Sequence, residues 1–372
     1  MIHYGGAIIG DEELHAIIQA IGDGTNWVFA KKGLEYESKL AGIAGVKHAI
    51  ATNSGSSALL LTMIGLNLPP KTPVIVPATN FPTALSAIHY AGHVPVVVDS
   101  DPLTFNVDLA KFEFAAERYR VALVPLIAGN VPNLERLKAA VDILILDNCD
   151  GFGSTYKGKP VETYARATCI SSHAAHIFNT GEGGAVLTDD SDLAETVNTL
   201  RNWGRSGEEG HTWLSGQYYP NRYVYHHLGF NFKMLELQAA MGIVQLDKLQ
   251  KFVELRQENF DALAGGIRET CVRPVDVRPR AQPAWFAMPA LCPKRSGLEG
   301  LLDHHEIEHR RVFLGNLLRQ PIFKKFEMKT DGTHEGADLI MQNGILLQVS
   351  PSYPVDTYHF IAKLICEWNN QR

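Results

Sequence analysis

Three stretches of this 372-residue chain place reactive side chains directly after short apolar runs. The first is Asn53-Ser54-Gly55-Ser56-Ser57, following the run HAIAT at 48–52. Hydroxyls and free backbone N–H groups at a helix start can bind a phosphate. The same residues also make an ordinary serine cap with a turn glycine. The second is Asp147, at the end of DILILDN (142–148). A carboxylate at the carboxyl edge of an open parallel sheet stands where ligands bind. It can cap a helix, or it can hold a heteroaromatic nitrogen protonated, because an adjacent negative charge favours the charged form of a base. The third is SSHAAHIFNTGEGG at 171–184, with two histidines at 173 and 176.

Other groupings carry less. His305-Glu306-Ile307-Glu308-His309 satisfies H-E-x-x-H, which on a helix can bind zinc through two histidines one turn apart. Here it runs into EHRRVFL (308–314), read as a strand, so a solvated polar edge is expected and no metal site. The five cysteines (149, 169, 271, 292, 366) are odd in number, scattered and never spaced C-x-x-C. That pattern argues against a disulfide framework and for a reducing, cytoplasmic setting.

The elements that position these residues alternate. Apolar runs at 48–52, 72–78, 94–99, 121–127, 142–148, around Cys169 and at GGAVLTDD read as seven buried strands, with helical stretches between them such as 56–66, 81–92 and 133–141. Repeated strand-helix units imply a mostly parallel sheet. Leu14, Ile17, Ile18 and Ile21 define one apolar face of a helix at 11–22. A long helix from Met234 to about Leu263 is expected to link a large unit, 1–250, to a smaller C-terminal α/β unit, 251–372, on which the N-terminal segment could also pack. A net charge of −6 lacks the basic excess of a nucleic-acid binder, and no uncharged apolar run approaches the roughly 18 residues that span a bilayer. The charged start of the chain does not read as a secretory signal.

Beside this reading stands a resemblance. SSHAAHIFNTGEGG is similar to the S-F-H-x-T-K-x-x-x-x-G-E-G-G pattern of the DegT/DnrJ/StrS sugar aminotransferases, fold-type I pyridoxal phosphate enzymes of the aspartate aminotransferase type. NSGSS, PATNFPT (77–83), DNCDGFGSTYKG (147–158), RNWGR (201–205) and LGFNFKMLELQAA (228–240) extend it over nearly the whole chain. The family's Schiff-base lysine is replaced by His176. That departure, with RVFLGNLLRQP (311–321) and PAWFAMP (283–289), resembles the branch of nucleotide-sugar 4-keto-6-deoxyhexose 3-dehydratases. Some of those enzymes hold a two-iron, two-sulfur cluster on C-x57-C-x-C-x7-C. Counted from Cys149, the remaining ligands fall on Gly207, Glu209 and Gln217, so the resemblance is to the cluster-free type.

Carried over position by position, the resemblance implies that Gly55, Ser56 and Ser171 bind the cofactor phosphate, Phe81 stacks on its ring and Asp147 pairs with the ring nitrogen. It also implies that Asp150 lies near the phenolic oxygen, where many aminotransferases have glutamine. Asn231 would reach the phosphate of a neighbouring subunit, making a homodimer. The working cofactor would be pyridoxamine phosphate, regenerated from the pyridoxal form by L-glutamate. His176 would be base and then acid in the loss of the C3 hydroxyl, since imidazole titrates near neutrality. Asn316 and Arg319 would contact the substrate, a nucleotide-diphosphate 4-keto-6-deoxy sugar. The alternatives are a sugar 4-aminotransferase and a non-catalytic nucleotide-sugar-binding relative.

Overall fold

The computed structural model describes residues 1–22, 27–205, 211–214 and 216–371; the positions of Gly207 and Glu209 fall outside them. Five-residue apolar runs become β1 (His48–Thr52), β2 (Pro73–Pro77), β3 (Val94–Val98), β4 (Val121–Pro125), β5 (Ile143–Asp147), β6 (Ala167–Ser171) and β7 (Gly184–Thr188). They join one sheet in the order β1-β7-β6-β5-β4-β2-β3. Neighbours from β6 to β3 are parallel, whereas β7 is antiparallel to both β1 and β6.

The period of two explains why the sheet needs cover on both faces. Val74, Val76, Leu123 and Ile145 pack with Leu59, Leu85 and Val197 on one side. Their sequence neighbours Ile75, Ala122, Val124, Leu144 and Leu146 pack with Phe112 and Leu137 on the other. The helices carrying this cover are α3 (Gly55–Gly65), α4 (Pro82–Tyr90), α5 (Leu109–Ala116), α6 (Leu134–Ala140) and α7 (Ser191–Arg201); α1 (Asp11–Gly22) and α2 (Lys31–Ala44) precede them. Side chains of Ser54, Asp108, Asn133 and Asp190 accept first-turn N–H groups of α3, α5, α6 and α7, each worth about 1 kcal/mol.

After the 31-residue helix α8 (Glu236–Gly266) come β8 (Arg273–Pro274), β9 (Ala287–Leu291), β10 (His309–Arg310), β11 (Lys329–Thr330) and β12 (Gly344–Gln348). Helices α9 (Arg295–His304), α10 (Glu335–Asn343) and α11 (Val355–Asn370) accompany them. Strands β8, β9, β12 and β10 form an antiparallel sheet in that order. The expected boundary at 250 falls inside α8, which is continuous. Ile2 pairs with Ile307, its N–H donating to Glu306 and its carbonyl accepting from Glu308.

Three expectations change. The large sheet has an eighth strand, because β11 adds in parallel beside β3. Asp99, at the end of β3, fastens this arrangement: its carboxylate accepts the N–H groups of Gly336 and Ala337 at 3.0 and 2.8 Å and Lys111 Nζ at 2.6 Å. EHRRVFL is a strand only at His309–Arg310, since the chain turns through left-handed Phe313 (φ 42°) and Gly315 (φ 66°). The apolar face of α1 is not its buried one. Glu13 is buried against Lys248 and Gln245 of α8, and Leu14, Ile18 and Ile21 are exposed.

Candidate active site

A cavity of about 520 Å³ opens where β1, β2, β4, β5 and β6 end. Each strand delivers its following residues to that edge, as expected of an open parallel sheet. After β1, Ser54 Oγ accepts Ser57 N–H at 3.1 Å, so α3 starts with its first turn turned to the cavity. The first N–H groups of a helix have no intrahelical acceptor and attract an anion. Gly55 belongs to this edge because a Cβ there would lie 2.8 Å from Cys149 Sγ and 2.9 Å from Ser171 Cβ.

After β2, Phe81 precedes Pro82 at the first position of α4 and stays 49% exposed, its ring edge-on to Phe313 at 5.9 Å. At the end of β5, Asp147 is 7% exposed and accepts Cys149 N–H at 3.2 Å. No cation pairs with it among the described residues, and burial pushes its carboxyl above the usual range. A buried carboxylate facing an open cavity without a cation suits a ligand that brings one.

Beyond β6, Ser171 Oγ accepts His173 N–H at 3.2 Å, and the turn presents His176. Its Nδ1 lies 3.4 Å from Ser171 O, and its Nε2 lies 3.8 Å from Asp150 Oδ1. Phe286 closes the ring's side, edge-on at 5.5 Å. Burial, with lesser effects from His173, Arg256 and Arg310, pushes the imidazole down to about 4. That direction, away from the near-neutral value expected from sequence, favours the neutral, proton-accepting form of His176. Asp150 moves the other way, to about 7, through burial and then the charge of Asp147, while Ala128 N–H donates to it at 3.0 Å.

His176, Gly55, Ser56, Phe81, Asp147, Asp150 and Ser171 are thus brought together. Asn316 and Arg319 are not. Asn316 is fully buried, donating to Asp338 at 2.8 Å, and Arg319 Nε donates to the same carboxylate at 2.8 Å. Their cluster docks the turn after Gly315 onto the end of β2, with Leu317 N–H donating to Ala78 O. Asn231 lies outside this chain's own cavity, exposed and accepting from Lys233 Nζ at 2.6 Å. His305 and His309 do not share a helix, since α9 ends at His304, and the described residues contain no cluster that could hold a metal.

Sequence reasoning missed Arg310, Arg311, Phe313 and Phe286 in the cavity wall. Arg311 is held by Glu299 at 2.9 Å, whereas Arg310 lies over the Tyr4 ring at 4.3 Å. Arg311 opens the RVFLGNLLRQP segment and Arg310 immediately precedes it; both share their chemistry with Arg319, so residue type alone could not rank them.

A model of the DegT/DnrJ/EryC1/StrS aminotransferase family matches residues 8–365. The lipopolysaccharide biosynthesis protein RfbH of Salmonella typhimurium is 32% identical, covering 96% of this chain and 89% of its own length. A GDP-4-keto-6-deoxy-D-mannose 3-dehydratase of Yersinia pseudotuberculosis is 30% identical, with 91% of each chain covered. The solved structure of the E. coli GDP-4-keto-6-deoxy-D-mannose-3-dehydratase with bound hydrated PLP shares the fold. Its TM-score is 0.91 at 23% identity, covering 98% of this chain and 100% of that one. Solved sugar aminotransferases share the fold too.

Proposed function

This chain belongs to the DegT/DnrJ/EryC1/StrS aminotransferase family, and we propose that within it the protein is a 3-dehydratase of a nucleotide-linked 4-keto-6-deoxyhexose. The observation that carries this reading is His176 beside Asp150, in a cavity that Asp147 also lines and whose described lining contains no lysine. The cofactor that fits is pyridoxamine phosphate. The first turn of α3, with Ser56 and Ser171, would take the phosphate, Phe81 the ring face, and the unpaired carboxylate of Asp147 the ring nitrogen. When bound, the cofactor supplies an amine for the C4 ketone and an aromatic system that withdraws electrons from it.

The protein's own residues supply binding and proton transfer. With Nδ1 turned to the Ser171 carbonyl, the lone pair of His176 is on Nε2, the atom facing Asp150. A neutral imidazole at pH 7 can take a proton there. The imidazolium so formed, acidic because it is buried, can give the proton to the C3 hydroxyl oxygen as that group departs. Phe286 and Phe313 limit water around the reacting carbons, and Arg310 offers a guanidinium to the sugar-nucleotide diphosphate. Glutamate is the expected amino donor, and Asn231 on a second copy is expected to complete the phosphate site in a homodimer. The names of the Yersinia and E. coli relatives support the substrate class.

Aminotransferases among the relatives make a released 4-amino sugar the competing outcome. Mass spectrometry of products from a panel of 4-keto-6-deoxy nucleotide sugars, with glutamate present, separates the two. A 3-deoxy ketosugar with ammonia supports dehydration. A 4-amino sugar retaining its C3 oxygen overturns it.

A further inference from the structure

Asp150 has a relationship to His176 that binding a cofactor does not explain. Both side chains are largely buried, 13% and 17% exposed, with Oδ1 and Nε2 3.8 Å apart. Each is fixed from its far side. Asp150 Oδ2 accepts from Ala128, whose own backbone is left-handed (φ 52°) and whose carbonyl accepts Phe286 N–H at 3.0 Å. His176 has its Nδ1 against the Ser171 carbonyl at 3.4 Å. A non-glycine residue in that conformation is costly and persists only where its surroundings over-determine it. The strained N–H therefore aims the carboxyl at the imidazole.

We propose that Asp150 is the positioning residue of a proton-sharing pair with His176. When the two close from 3.8 Å to hydrogen-bond distance, one proton passes between Oδ1 and Nε2, so that the imidazole is held as a base and its protonated form has a carboxylate partner. In the transfer from His176, a lone pair on Oδ1 takes the proton and the N–H electron pair returns to Nε2. The reverse transfer restores the imidazolium. The inference deepens the dehydratase reading and rests on it for its catalytic meaning.

The charged and titratable groups around the pair are few. Asp147 and Cys149 neighbour Asp150, and its acidity falls as Asp147 ionises. His173, Arg256 and Arg310 face His176 and oppose its protonation, and Tyr4 stands among Asp150, Arg256 and Arg310. The carboxyl, pushed to about 7, and the imidazole, pushed to about 4, are ordered so that the first proton taken up by the pair belongs to Asp150.

The test uses the full-length, cofactor-free protein and NMR of the His176 ring against pH. In the parent, the His176 ring signals should move twice, once near neutrality as Asp150 titrates and again at low pH. In Asp150→Asn the step near neutrality should vanish, and in Asp150→Glu it should return. With cofactor, Asp150→Asn should lower kcat at least tenfold and remove the corresponding limb of the pH profile. A single step in the parent that Asp150→Asn leaves unchanged would overturn the pair. If the substrate panel instead yields amino sugar while both steps are present, the reaction assignment fails and the pair stands.

Discussion

Arg256 Nη2 donates to the backbone carbonyl of His176 at 3.3 Å, from a helix 80 residues away in sequence. Its Nη1 donates to the carbonyls of Trp285 and Phe286 at 3.0 and 3.1 Å. Arg256 is 3% exposed, and burial lowers its pKa to about 10. One cation thus joins the turn bearing His176 to the segment bearing Phe286. In Arg256→Leu three buried carbonyls lose their donor, and the unfolding free energy should fall by about 3 kcal/mol. Urea denaturation of the cofactor-free protein checks this, and a loss below about 1 kcal/mol would contradict it.

A cavity without a described lysine makes a spectroscopic prediction. Protein incubated with pyridoxal phosphate should show free-aldehyde absorbance and, after borohydride, no mass gain on the chain. Glutamate should convert the spectrum to the amine form. A reduced adduct on an active-site residue would refute the noncovalent site.

His176→Lys restores an amine that can bind the cofactor covalently. Lysine's ordinary pKa of about 10.4 suits it poorly to protonating a departing hydroxyl in this geometry. The ratio of 4-amino sugar to 3-deoxy sugar should rise at least tenfold over the parent, with cofactor still bound. Undiminished dehydration would transfer the acid-base role to another group, His173 being the nearest imidazole at 5.7 Å between ring centres.

Gly55→Ala tests the anion edge. The new methyl would press on Cys149 Sγ and Ser171 Cβ, and overpacking of this kind costs about 1–3 kcal/mol. Affinity for pyridoxamine phosphate, read by fluorescence titration, should fall at least tenfold. Unaltered affinity would show that the phosphate lies elsewhere.

Glu162 gives a pH dependence with a defined sign. It is 2% exposed, accepts Asn148 Nδ2–H at 2.8 Å, and burial raises its pKa to about 7. A folded value above the unfolded one means that the native state binds the extra proton between them. Its stability is complete below about 4.5 and declines as pH rises through about 7, by about 3 kcal/mol in all. Glu162→Gln removes this slope. The variant should match the parent at pH 4.5 and exceed it by about that amount at pH 8, by urea denaturation. A difference independent of pH would show that the carboxyl ionises freely.

The parts legible in the sequence are those with a local cause. Seven apolar runs bounded by turns became seven strands, and the residues following them became the cavity edge, because a parallel sheet exposes one set of strand ends. Other features depend on distant partners. Leu14, Ile18 and Ile21 have helical spacing, yet the contact with α8 is made through Glu13, a polar side chain whose partners lie more than 230 positions away. Asn316 and Arg319 have chemistry suited to a diphosphate, but Asp338 claims both. The shifts of His176 and Asp150 arise from burial that no spacing reveals.

The clasp between Asp99 and the start of α10 also bears on how the molecule can breathe. With β11 hydrogen-bonded to β3 and Asp99 gripping Gly336 and Ala337, the polypeptide after α8 is stitched to the large sheet at two distant seams, the other being α8 itself. A plate stitched along two edges cannot swing like a door. The local give that a ligand needs to enter is therefore expected in the left-handed turn through Phe313 and Gly315, whose aromatic ring meets Phe81 in the cavity wall.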